Sequence, residues 1–278
     1  MSPFIFGMVL LAAFLHASWN VVVKISADRF HAMYLLQVLM GVMGVAMLFA
    51  FPFPLQAAWP YAVVSGLLHT GYNIFLARSY KHGDLGLVYP VARGTAPLLT
   101  LIGTQIFAQD VITPVAKAGI IVLIMGIWLI ALSADIFKAH RASFLYALGT
   151  SVFIGCYTVV DGLGGRVSGD ASGYTGLLFV FDGAFMLVAG YFYGGMAIIK
   201  DVAPRWRAGI FGGAMSGAAY WVVIWAMSYA PIAAVAALRE TSILFALAFS
   251  ARLLKEKVGW RRIIGVACVV AGAVALHG

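Results

Sequence analysis

Charge is scarce in this chain. Asp, Glu, Lys and Arg make up 10% of its 278 residues, against about 25% in an ordinary soluble domain. With 63% hydrophobic residues and a mean hydropathy of +0.98, a water-soluble globule is excluded. Cysteine is almost absent. Cys156 and Cys268 both fall inside apolar runs, which excludes a disulfide framework or thiolate metal site and leaves them as packing residues. There is also no phosphate-cradling loop, metal-ligand cluster or cofactor fingerprint, so no cofactor is expected and the chain alone is no ATP-driven pump. The formal charge of +8 comes without a basic tail or arm, which argues against nucleic acid as a partner.

What the chain has in quantity is apolar runs of about 20 residues, the length that spans hydrocarbon. Ten spans are read, near 3–23, 32–53, 59–77, 85–107, 113–133, 143–163, 173–196, 208–229, 231–251 and 260–277. The first is read as a helix of the fold rather than a cleaved leader, because it lacks a basic flank and carries His16 and Asn20. Between the eighth and ninth only Tyr229-Ala230-Pro231 intervenes. Loops that follow odd-numbered spans hold fourteen Lys and Arg, among them Lys138, Lys255 and Lys257; the even loops hold only Lys117 and Arg166. Cationic loops stay in the cytoplasm. This predicts an inner-membrane protein with both termini outside the cytoplasm.

The two remaining cations, Arg93 and Arg239, lie inside spans. Their surroundings align without a gap: Ala92-Arg93-Gly94-Thr95-Ala96-Pro97-Leu98 against Leu238-Arg239-Glu240-Thr241-Ser242-Ile243-Leu244. The register continues to Gly119 against Gly265 and Gly126 against Gly272. Each glycine pair is seven residues apart on one helix face, which suits close packing of the fifth and tenth helices against each other or across a dimer. The chain thus divides into two related halves, 1–138 and 139–278. Five spans per half is an odd number, so the second half enters the membrane inverted. The expected fold is an all-α integral membrane protein of ten transmembrane helices in two inverted five-helix repeats. A buried arginine must face protein or a wet cavity, and inverted repeats place their shared site near the midplane. That points to a secondary transporter.

Four stretches carry a resemblance to a known family. They are His16-Ala17-Ser18-Trp19-Asn20; Tyr89-Pro90-Val91-Ala92-Arg93-Gly94-Thr95-Ala96-Pro97; Ala237-Leu238-Arg239-Glu240-Thr241-Ser242; and Leu253-Leu254-Lys255-Glu256-Lys257 before the last helix. With the ten-span repeat pattern, the chain resembles the EamA-type branch of the drug/metabolite transporter superfamily over nearly its whole length. The resemblance implies transport of a metabolite without naming it.

Candidate substrate-binding residues follow from polar and aromatic groups within spans. His16, Trp19 and Asn20 are echoed by His69, Tyr72 and Asn73; each His–Asn pair lies on one helix face. Each His could equally bond its own Asn or a backbone carbonyl. Tyr89 and Arg93 are one turn apart, with Pro90 and Pro97 nearby to loosen the helix. Arg93 is expected to grip an anionic group, with pairing to a carboxylate as the alternative. Arg239 and Glu240 are adjacent, about 100° apart on a helix, so each is expected to meet a different partner. Asp182 sits in wholly apolar surroundings, whereas Asp161 precedes Gly162-Leu163-Gly164-Gly165 and reads equally as a cap. Tyr157, which aligns with Trp19, and Trp221 complete the set, since aromatic rings attract ammonium groups.

Glu240 and Asp182 are the candidate proton carriers, with protons as the coupling partner. Two cations and several acids suit a zwitterion such as an amino acid or aminoalkyl acid, or an organic amine. An anion such as a phosphonate would need both arginines free. An integral-membrane enzyme using His16 or His69 as base is the reading from another class, but no nucleophile is placed beside either. Partners are a small-molecule substrate and the bilayer, with the chain a monomer or homodimer.

Overall fold

The computed structural model describes residues 1–24, 29–82, 85–131, 141–254 and 259–277; at 21–24, 29, 80–82, 85–90, 131 and 250–254 it describes the backbone alone. Lys138, Lys255, Glu256, Lys257 and the Tyr89 side chain lie outside that description. The described residues form helices and connecting turns, with no strand among them. In order these are α1 (Pro3–Lys24), α2 (Arg29–Ala50), α3 (Trp59–His82), α4 (Leu85–Phe107), α5 (Pro114–Ala131) and α6 (Arg141–Val167). Then come α7 (Ala171–Gly194), α8 (Ala197–Val202), α9 (Trp206–Met227), α10 (Ile232–Arg239), α11 (Ser242–Leu254) and α12 (Trp260–His277).

The ten expected spans map onto α1–α7, α9, the α10–α11 pair and α12. Seven described segments are long and apolar enough to cross a bilayer. The short α8 is an addition the sequence reading did not foresee. The break between α9 and α10 falls at Ser228–Pro231, where Pro231 precedes the first residue of α10; proline ends one helix and starts the next without losing a needed donor.

Helices pair across the two halves. α1 lies along α9 and α3 along α6, contacts that exchange when the halves are exchanged. α2 lies along α7 and α5 along α12, contacts that map onto themselves. Glycine makes the self-mapping seams possible. A Cβ at Gly126 would sit 2.7 Å from the Gly265 carbonyl oxygen, and one at Gly119 would sit 3.0 Å from that of Gly272. At the α2–α7 seam, a Cβ at Gly183 would lie 2.8 Å from the Gly41 Cα. In lipid, helices associate through such close packing rather than through hydrophobic expulsion. Of the two readings for the aligned glycines, the structure takes the first: the fifth and tenth spans face each other.

Counting helices up and down the bundle puts both termini, the α2–α3, α4–α5 and α6–α7 links and the α9–α10 link at one end. The Met1 amino group donates to the His277 carbonyl at 3.3 Å, and the Phe6 and His277 rings meet edge to face. We call this the terminal end.

Candidate functional site

The ninth span is two helices because its hydrogen bonding tightens for one turn. The Glu240 amide bonds the Ala237 carbonyl at 3.0 Å and the Thr241 amide bonds that of Leu238 at 3.1 Å, three residues back instead of four. A stretch of this tighter winding inside a helix commonly marks a functional hinge. Here it falls on Glu240 and Thr241, beside the duplicated arginine. α4, its counterpart, runs unbroken through Arg93.

The tightened turn changes who meets whom. Glu240 Oε2 accepts from Arg93 Nε at 2.8 Å, and Glu240 Oε1 lies 3.7 Å from Arg239 Nη2. The expectation that Arg239 and Glu240 diverge to separate partners is corrected: regular α-helical spacing does not hold at the end of α10, and both arginines share one carboxylate. All three side chains are buried. Arg93 therefore ties α4 of the first half to the α10–α11 turn of the second, the carboxylate pairing weighed as the alternative to a grip on an anionic group.

Beside this triad lies a cavity with about 610 Å³ of space not filled by atoms, counting the part at its open mouth. Its walls come from α1, α2, α3, α6, α7, α9 and α10. His16, Trp19, His69, Tyr72, Asn73, Tyr157, Asp182 and Arg239 all line it. So does Tyr220, and so do Met33, Leu36, Gln37, Met40, Leu178, Phe179 and Ser216, seven residues that the sequence did not point to as binding. On α1 and α3 the lining residues sit in or near the half away from the terminal end, and on α2 most lie in the half that starts there. On α6, α7 and α9 the lining residues sit at mid-helix or in the half nearer the terminal end, so the cavity lies at mid-bundle.

Several residues fall elsewhere. Arg93 and Glu240 stand behind the lining. Asn20 spends its amide on the His16 carbonyl at 2.8 Å. Trp221 donates to Ser172 Oγ at 2.9 Å and packs near Phe51 at the terminal end. Both histidines make local bonds. The Trp19 indole donates to His16 Nδ1 at 3.3 Å, and His69 Nδ1 lies 3.0 Å from its Ser65 carbonyl. The His69 ring also stacks on Tyr157, with centroids 3.9 Å apart.

Three buried polar atoms on lining residues have no hydrogen-bond partner within the described protein: Arg239 Nε, Asn73 Nδ2 and Asp182 Oδ1. Buried polar atoms are otherwise almost always bonded, so these residues keep two donors and one acceptor that the described protein does not use. Asp182 is held on its other side by Gln37, whose Nε2 donates to Oδ2 at 2.7 Å. The Arg239 guanidinium lies over the Tyr220 ring, 5.9 Å from its centroid. Asp161, deep in the bundle, accepts from the Tyr174 hydroxyl at 2.9 Å and also from Tyr220. It is thereby satisfied within the protein and anchors a cavity wall. No His, Cys, Asp and Glu group among the described residues has the makings of a metal site.

The EamA-like transporter family model matches residues 4–132 and again residues 141–277. The chain belongs to this family. It is a multi-pass membrane protein, and the family's members are transporters of small molecules. The double match reproduces the repeat read from the aligned arginines. A solved crystal structure of another protein superposes on 99% of this chain and 96% of its own length, with a TM-score of 0.78 at 16% sequence identity. At that identity the likeness shows the fold alone. No curated protein sequence matches the chain.

Proposed function

We propose that this transporter carries a small zwitterion, an amino acid or aminoalkyl acid, by alternating access through the central cavity. The observation that carries the reading is the cavity's own polarity. Arg239 and Asn73 offer unpartnered donors, and Asp182 an unpartnered acceptor. A substrate carboxylate satisfies the donors through charge-assisted bonds. Its ammonium satisfies Asp182, with Trp19, Tyr72, Tyr157 and Tyr220 supplying ring faces. A free anion fits less well, because Glu240 already offsets part of the arginine charge.

An organic amine is the second reading, favoured by the same four rings in a cavity that Asp182 also lines. If protons drive accumulation, Asp182 is the better carrier of the two acids. Glu240 faces two buried guanidiniums, and neutralising it would leave both without their counter-charge.

The test is counterflow in sealed liposomes holding purified protein. Preloaded amino acids should draw in labelled zwitterion, while the corresponding decarboxylated amines should not. Amines alone exchanging would establish the second reading. Exchange by short carboxylic acids that lack an amine would sink both.

A further inference from the structure

Besides the Met1–His277 and Leu55–Ser168 backbone bonds, the halves meet at the terminal end in one concentrated cluster of polar side chains. Asp110 sits on the α4–α5 link and Arg166 at the end of α6. Arg166 Nη1 donates to Asp110 Oδ1 at 2.6 Å and Nη2 to Oδ2 at 3.3 Å. This two-pronged pairing is geometrically specific as well as strong. Each partner also holds the α9–α10 link. Arg166 donates to the Met227 carbonyl at 2.9 Å and the Ala230 carbonyl at 3.0 Å. Asp110 Oδ2 accepts from the Ile232 amide at 2.7 Å. A cation on the last carbonyl of α9 and an anion on the first amide of α10 both agree with the helix dipoles.

The opposite end differs. Among the described residues it has two reciprocal serine bonds, Ser79 to the Ser143 carbonyl and back. It also has a His31–Asp201 approach of 3.8 Å. Among the described residues, the two ends of the bundle thus join the halves by different polar contacts.

We propose that Asp110 and Arg166 form the gate of the terminal end, and that α10 links this gate to the binding site. The eight residues of α10 are all buried. They span about 12 Å at the usual helical rise, from the Ile232 amide held by Asp110 to Arg239 at the cavity. A ligand that shifts Arg239 about the tightened turn therefore shifts the helix end that Asp110 grips. Packed interfaces switch between discrete arrangements rather than deforming continuously. Passage to the terminal end requires this pair to part.

The inference rests on transport by alternating access, not on the identity of the substrate, so its test uses no substrate. Ala233 is fully buried one residue beyond the gripped amide. The full chain carrying Cys156→Ala, Cys268→Ala and Ala233→Cys is purified in detergent and treated with a small maleimide. Labelling should be slow with the gate intact. Asp110→Ala and Arg166→Ala should each speed it about tenfold, and the double variant should be no faster than either, because the two act as one unit. Arg166→Lys keeps the charge but loses the fork; it should fold normally and label at an intermediate rate. Folded Arg166→Lys or Arg166→Ala protein that labels at the parent rate overturns the gate, as do single effects that multiply in the double variant.

Discussion

Arg93 and Arg239 occupy matching positions in two repeats, yet they have parted in role. Arg93 lies on an unbroken helix with its Nε on Glu240. Arg239 lies at a helix end, lines the cavity and keeps an unpartnered Nε. One residue makes the difference: Glu240 stands where the first half has Gly94. That acid recruits the opposite arginine across the halves and leaves its own neighbour facing the cavity. Duplication supplies two costly groups, and a single difference leaves one paired across the halves and the other on the cavity wall.

The sharpest way to break the comparison is Glu240→Gln. It leaves two buried guanidiniums without a carboxylate, and removing one member of a buried pair costs about 3–5 kcal/mol. Aggregation in size-exclusion chromatography is the expected outcome. Pairing it with Arg93→Gln should recover part of the loss, which a double-mutant cycle on thermal stability would read as coupling; simple addition of the two losses would deny that Arg93 is scaffold. Next in size is Arg239→Lys. It keeps the charge, loses the planar fork and should fold normally while counterflow falls roughly 10- to 100-fold, or about 1.4–2.8 kcal/mol. Wild-type exchange would assign both arginines to the scaffold.

Smaller again is Asp182→Asn, which preserves the bond to Gln37 in shape but not in charge. Zwitterion affinity, read by ligand-induced thermal shift, should weaken by about tenfold, or ~1.4 kcal/mol; an unchanged shift would move the ammonium subsite elsewhere. Smallest is Trp221→Phe. It loses one hydrogen bond to Ser172, about 1 kcal/mol of stability, with exchange unaltered. A marked loss of exchange there would mean the site extends to the terminal end.

Span number and repeat symmetry were legible because a bilayer demands runs of about 20 apolar residues, and because Arg93, Arg239 and the paired glycines keep one register. Half of the cavity was not. Gln37, Met33, Met40 and Ser216 sit on helices that are apolar all round, so no periodicity separates a cavity-facing side from a lipid-facing one. The His–Asn motifs were legible as a pair but unequal in outcome: Asn73 reaches the cavity, while Asn20 turns back to its own helix. The shared carboxylate of the two arginines depends on a one-turn change in helical winding at Glu240, which residue spacing assumes to be regular.

The pairing of helices across the halves governs how the chain can be made. α5 finds its glycine-lined partner in α12, made after every helix between them, and α1, α2 and α3 find theirs in α9, α7 and α6. The seams of α3, α2 and α1 are therefore covered in turn as α6, α7 and α9 appear, while that of α5 stays open in the bilayer until α12 is made. Glycine faces left open in lipid are the kind that attract other small-residue helices. The interval between the fifth helix and the twelfth is thus when a nascent chain is most exposed to wrong partners and to the proteases that clear orphaned membrane segments.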